Sequence, residues 1–269
     1  MPDRDKERGR PVAYRGGGFD YRPSKLTGVL TFVALVAVWE TGSRTGFISN
    51  LVLPAPSEVL AAFVQLWRSG ELWAHLGASL SRLIMGWTLG TVLGVAFGFA
   101  IALFAPVRAS LTPLVAAIFP VPKIALLPLF IIWFGIGESS KVGLILFGTF
   151  FPTVIATYGG VDNVDRSLIR MGQSFGLSWW SIVRKIVLPG ALPAILSGLR
   201  VSLAIAIILL VAAEMLGANR GIGAYVLESG SLYDLERLFA GVVILSLLGI
   251  ASSWLVSRAE KLLLAWRPR

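Results

Sequence analysis

After a polar opening of about two dozen residues, the chain alternates long apolar blocks with short joints rich in charge, proline or glycine. A helix needs about 20 consecutive apolar residues to cross the hydrocarbon core of a bilayer. Leu83 to Pro106, Val142 to Val161 and Leu238 to Ser257 each run that far without a charge. Ala109 to Gly137 is interrupted only by Lys123, Val201 to Ala213 is extended backwards by Ile186 to Leu199, and Leu26 to Trp39 is a shorter first run. The pattern predicts about six transmembrane helices in one polytopic, all-α membrane bundle over residues 26–265. Continuous apolar blocks, rather than ten-residue stretches alternating in and out, argue against a closed barrel.

Within these blocks, Gly86, Gly90, Gly94 and Gly98 recur at four-residue spacing. They leave one side of a helix bare, so the stripe predicts close packing against another backbone. The plainer alternative is the general abundance of glycine in membrane helices. Pro120, Pro122 and Pro128 each remove a backbone donor and obstruct a carbonyl one turn back, so the third span should be bent or broken. Leu53-Pro-Ala-Pro-Ser57 reads as a stop followed by a start, with Ser57 as N-cap of an amphipathic stretch to Trp67 at the outer interface. Trp67, Trp73 and Trp87 fit an aromatic belt there.

Composition agrees, with 55% hydrophobic and 14% charged residues. The net charge of +9 raises nucleic acid as a partner, but Lys and Arg also gather on the cytoplasmic flanks of membrane proteins. On the six-span scheme one side receives Arg4, Lys6, Arg8, Arg10, Arg15, Arg22 and Lys25, then Arg108, then Arg166, Arg170, Arg184, Lys185 and Arg200, and four more at the C-terminus. The other side receives Arg44, Arg68, Lys141, Arg220 and Arg237. Both termini are therefore expected in the cytoplasm, with a bilayer and no nucleic acid as the surroundings. Residues 1–25 and 266–269 are expected to be tails, the first of them flexible. The first apolar run starts too late for a simple cleaved signal peptide. Cysteine is absent and His75 is the single histidine, which leaves no thiol chemistry, metal cluster or catalytic triad to propose; His75 reads as interfacial. Gly135 to Lys141 imitates a phosphate-binding loop but has the wrong spacing. The chain reads as a transport component, not an enzyme, with no cofactor of its own.

The segment from 162 to 193 lies on the basic side between two spans. In it Gly176 is followed by nine residues and then Ile186-Val-Leu188-Pro189. Glycine allows one short helix to turn tightly into the next, and Leu177, Trp179 and Trp180 supply an apolar face of the kind partners bury. The alternative is an interfacial helix with membrane-seated tryptophans. The pattern resembles the cytoplasmic coupling loop of ABC importer permeases: Glu-Ala-Ala, three residues, Gly, nine residues, Ile, one residue, Leu-Pro. One departure is plain, since Arg170-Met171-Gly172 stands in place of Glu-Ala-Ala, and no role of that glutamate carries over. Leu53 to Ser57, Pro122 to Pro128, Ile132 to Gly137, Leu188 to Pro193 and Ala212-Ala-Glu214-Met with Gly221-Ile-Gly223 are similar to permeases for nitrate, sulfonates, taurine or bicarbonate.

That resemblance implies a type I importer fold, a second permease copy in a homodimer, two ATP-binding subunits carrying ATP and Mg, and a periplasmic solute-binding protein. It implies an anionic solute; a non-anionic solute and an ion-coupled secondary carrier are the alternatives. Two charges inside the membrane are pathway candidates, because ionisable groups at that depth are costly unless paired or hydrated. Lys123 either lines an anion route or is a structural, snorkelling lysine. Glu214 is expected to pair with Lys123 or Arg220, or to form part of an outer gate. Arg82 reads as an interfacial anchor.

Overall fold

The computed structural model describes residues 25–265. The tails expected at 1–25 and 266–269 lie outside these residues, apart from Lys25. The helices are α1 (Lys25–Arg44), α2 (Pro56–Arg68), α3 (Glu71–Leu103), α4 (Ala105–Ile118), α5 (Leu127–Phe134), α6 (Glu138–Asp162), α7 (Arg166–Ser174), α8 (Trp179–Ile182), α9 (Leu188–Gly217), α10 (Ile222–Ser231) and α11 (Leu235–Leu263). No strand occurs among the described residues. Four unbroken helical runs are long and apolar enough to span a bilayer: α3, α6, the run Trp179–Gly217 and α11. Counted as one, α4 and Lys123–Phe134, bent by 92° to each other, make a fifth span. The first predicted run lies in α1, whose Val29, Phe32, Leu35 and Val38 are exposed.

The 92° break falls where three prolines cluster. Ile118 ends α4, a 3₁₀ turn spans Lys123–Leu126, and Pro128 sits in the first turn of α5, where a missing N–H costs nothing. At α2 the N-cap is Ala55 rather than Ser57. Glu58 reaches back to the Ala55 N–H at 2.8 Å, while Ser57 bonds Glu40 of α1 at 2.8 Å through its hydroxyl and 3.0 Å through its N–H.

Helix α6 is the centre of the bundle, packed between α3 and α9. Its contact with α3 is made by the glycine row. A Cβ added at Gly86, Gly90, Gly94 or Gly98 would come within 2.7, 2.1, 2.7 and 2.4 Å of Ile145, Thr149, Thr153 and Thr157 respectively. Each of those threonines donates its hydroxyl to the carbonyl one turn back on α6, at 2.7–2.9 Å. This satisfies the hydroxyl without reaching across the contact. On the other face of α6, Gly160 meets Ala194, and Gly198 of α9 meets Ala156. The largest buried cluster, with Leu83, Leu127, Phe130, Leu144, Ile145, Leu203, Leu209 and Leu210, fills the space where α3, α5, α6 and α9 converge. Trp87 belongs to this interior rather than to a belt: it packs against the cluster and its indole N–H donates to Ser202 at 3.0 Å.

Candidate coupling surface and buried ionic cluster

Asp165 starts the segment between α6 and α9. Its carboxylate accepts the Ser167 N–H at 2.7 Å, capping α7, and the Ser167 bonds hold it below the usual aspartate range. Helix α7 closes on a left-handed residue, Gly176 at φ +68°. Leu177 N–H bonds Gly172 O at 3.0 Å and Gly176 N–H bonds Gln173 O at 2.9 Å. Those two bonds are the Schellman arrangement that glycine favours at this position. Nothing lies within 4 Å of a Cβ placed on Gly176, so its requirement is conformational rather than steric.

Gly172 is different. It is buried, and a Cβ there would lie 2.8 Å from Ile186 and 3.5 Å from Ile182 and Leu177. The small third residue of the triplet therefore seats α7 against Ile186, so two separated parts of the motif meet in one contact. Arg170 and Met171 face outward. Phe175 is 78% and Trp180 72% exposed. Trp179 stands edge-on to Trp180, ring centres 4.8 Å apart, and leans on Phe104 at 6.0 Å. Ile186 and Pro189 are half-buried and Leu188 is exposed.

The residues after Gly176 do not make a second separate short helix. Helix α8, a π turn over Val183–Val187 and α9 run on as 39 continuous residues, Trp179–Gly217. Leu188 N–H reaches Val183 O, a widened turn that accommodates Pro189, which cannot donate to the carbonyl four residues back.

At the far end of α9 lies a cluster that the sequence did not reveal. Glu214 is fully buried, and its partner is Arg82 rather than Lys123 or Arg220. Arg82 Nη1 donates to Glu214 at 2.7 Å and to Arg220 O at 2.6 Å. Its Nε and Nη2 grip Glu138 at 2.5 and 2.7 Å. Glu214 also accepts from the Ser79 hydroxyl at 2.8 Å and from Gly223 N–H, at the start of α10, at 2.8 Å. A Cβ on Gly221, at φ +138°, would fall 2.4 Å from the Glu214 carboxyl carbon. That glycine lets the chain close over the carboxylate. Half-buried His75 places Nδ1 3.0 Å from Gly221 O, and Lys141, 4% exposed, donates to Gly137 O at 2.8 Å. Arg82 is thus an interior bridge, not an interfacial anchor. The sequence held one clue, since Arg82 lies four residues before Gly86 and continues the glycine row by one turn.

Lys123 is half-buried at the proline break. Its Nζ donates to the Phe119 carbonyl and, at 3.4 Å, to Ile118 O, and stands over the Phe119 and Phe151 rings at 5.2 and 5.6 Å. It therefore neutralises carbonyls freed at the end of α4, and the structure does not bring it to Glu214. No group of three or more metal-ligating side chains occurs among the described residues.

Four apolar runs long enough to cross a bilayer, with a fifth bent by 92°, define a polytopic helical membrane protein. Residues 90–263 match the family of binding-protein-dependent transport system inner membrane components, and the chain belongs to that family. It is 36% identical over 242 residues to SsuC of Bacillus subtilis (strain 168), named as an aliphatic sulfonates transport permease, covering 90% of this chain and 88% of that one. It is 35% identical to the taurine transport system permease protein TauC of Escherichia coli (strain K12), covering 88% of each. Among solved structures it resembles a chain of the MetNI methionine ABC transporter in an inward-facing form, with TM-score 0.61, 20% identity, 70% of this chain and 94% of that one covered. The chain is thus a permease subunit of an ABC importer, a component of the inner membrane and not an enzyme, working with ATP-binding and solute-binding partners.

Proposed function

We propose that this chain carries a small sulfonate-class anion, received from a periplasmic binding protein, through a pore it forms with a second copy of itself. Two ATP-binding subunits, which hold the ATP and Mg, dock on the knob formed by α7 and α8. The observation that carries the reading is the Gly176 turn. It presents Met171, Phe175 and Trp180 as an exposed apolar surface on a segment otherwise basic enough to stand outside the bilayer. Charge placement supports cytoplasmic termini and a cytoplasmic knob. The sulfonate class rests on what SsuC and TauC are named for.

The test is uptake of radiolabelled taurine and a short alkanesulfonate into proteoliposomes holding the assembled transporter and its binding protein. Uptake should require ATP on the ATP-binding subunits and collapse in Gly176→Trp. Uptake driven by an ion gradient alone would replace this reading with a secondary carrier. ATP-dependent uptake of only uncharged solutes would keep the importer and remove the anion.

A further inference from the structure

Two apolar cavities open on one flank of the bundle, away from the ionic cluster and the coupling knob. The longer, about 330 Å³, runs between α2, α3 and α11 and is lined by Phe63, Trp67, Trp73, Leu80, Ile244 and Leu255 among others. The shorter, about 270 Å³, is bounded by Trp39 of α1, the first turns of α2 and Val243 of α11. Phe63 and Leu247 line both cavities, so a shared ridge separates them. We propose that this pair of cavities is a binding site for one phospholipid, its two acyl chains lying on either side of the Phe63–Leu247 ridge.

Dimensions favour an acyl chain. The longer groove follows α11 from Ile244 to Leu255, which at 1.5 Å per residue is about 16 Å. That is close to half of the roughly 30 Å hydrocarbon core, the depth of one leaflet. The groove is continuous with exposed apolar surface, formed by Val243, Leu247, Ile250 and Leu255 of α11 and Leu35 and Val38 of α1. Its mouth is marked by Trp67 and Trp73, edge to face with ring centres 5.1 Å apart, the residue type that settles at headgroup level. Beside them Arg68 closes α2, exposed and in no ion pair among the described residues, and available to a lipid phosphate.

The transporter is purified in detergent, and retained phospholipid is counted by native mass spectrometry. About one lipid per chain should survive mild delipidation. Ala251→Trp, which fills the long groove from an exposed position, should cut that retention at least threefold. Ile250→Trp, one residue away on the open surface of α11, should leave it unchanged. Equal retention in wild type and Ala251→Trp, or equal loss in both variants, would overturn the site. A second measurement does not depend on those variants: tryptophan quenching in vesicles containing brominated-chain phosphatidylglycerol. Trp67→Phe/Trp73→Phe should lose the component quenched at the lowest lipid fraction. Arg68→Gln should raise the brominated lipid fraction needed to reach it. An unaltered quenching curve in both variants would also overturn the proposal.

Discussion

At the scale of single residues, the cluster around Arg82 separates a charge that must be paired from one that need not be. Glu214 has no exposed surface, so removing its partner strands a carboxylate in low dielectric. The Glu138 side chain is 63% exposed and can be solvated instead. Arg82→Ala should therefore cost about 3–5 kcal/mol, and Glu138→Gln at most about 1 kcal/mol. Thermal unfolding of the purified permease should rank them in that order, and equal effects would mean that Glu214 is hydrated. Arg82→Lys should fall between the two, because an ammonium keeps a charge beside Glu214 but cannot hold two carboxylates and a carbonyl in one planar fork. Asp165 offers a contrast in pH behaviour. Its folded value lies below its unfolded one, so its cap on α7 is intact above the ordinary aspartate range and lost only as pH falls through the lower, folded value. Docking of ATP-binding subunits should accordingly show no Asp165-dependent step between pH 6 and 8 on an interaction assay.

At the scale of elements, the glycines of α3 make a two-part prediction. Gly90→Ala places a methyl 2.6 Å from the Leu146 carbonyl, a backbone atom that cannot swing away, so the helices must part at a cost of about 1–3 kcal/mol. Gly77→Ala, on the same helix with nothing within 4 Å, should be neutral or gain up to about 1 kcal/mol from helix propensity. Melting temperatures of the two variants should move apart, and a shared loss would mean that α3 packs on α6 in another register. What the sequence made legible follows the same division. Four-residue spacing and proline clusters announce the glycine row and the broken helix, because they act within one element. Arg82 lies 132 residues from Glu214 and 56 from Glu138, the two carboxylates it holds, and no local period links such positions. The continuous helix beyond Gly176 is hidden for another reason: Pro189 cannot donate to the carbonyl four residues back, and only a widened turn upstream lets the helix pass it.

At the scale of the whole molecule, the run Trp179–Gly217 joins the two sites. Its 39 residues extend about 58 Å, longer than the roughly 40–45 Å of a bilayer with its headgroups. Trp180 stands at one end and Glu214, bolted to α3 through Arg82, near the other. Beyond the widened turn and its prolines the run is packed along α6, so displacement at the knob should reach the ionic cluster through it. Ile208 tests this, because it is 59% exposed and a substitution there spares the packed face. Proline at that position removes one ladder hydrogen bond and kinks the helix between the two ends. Ile208→Pro should still co-purify with the ATP-binding subunits, since the knob is untouched, while ATP-driven uptake falls at least tenfold. Ile208→Ala should retain both. Full uptake by an assembled Ile208→Pro transporter would show that the two ends communicate through another helix, and α6, which contacts both α3 and α9, would be the element to examine.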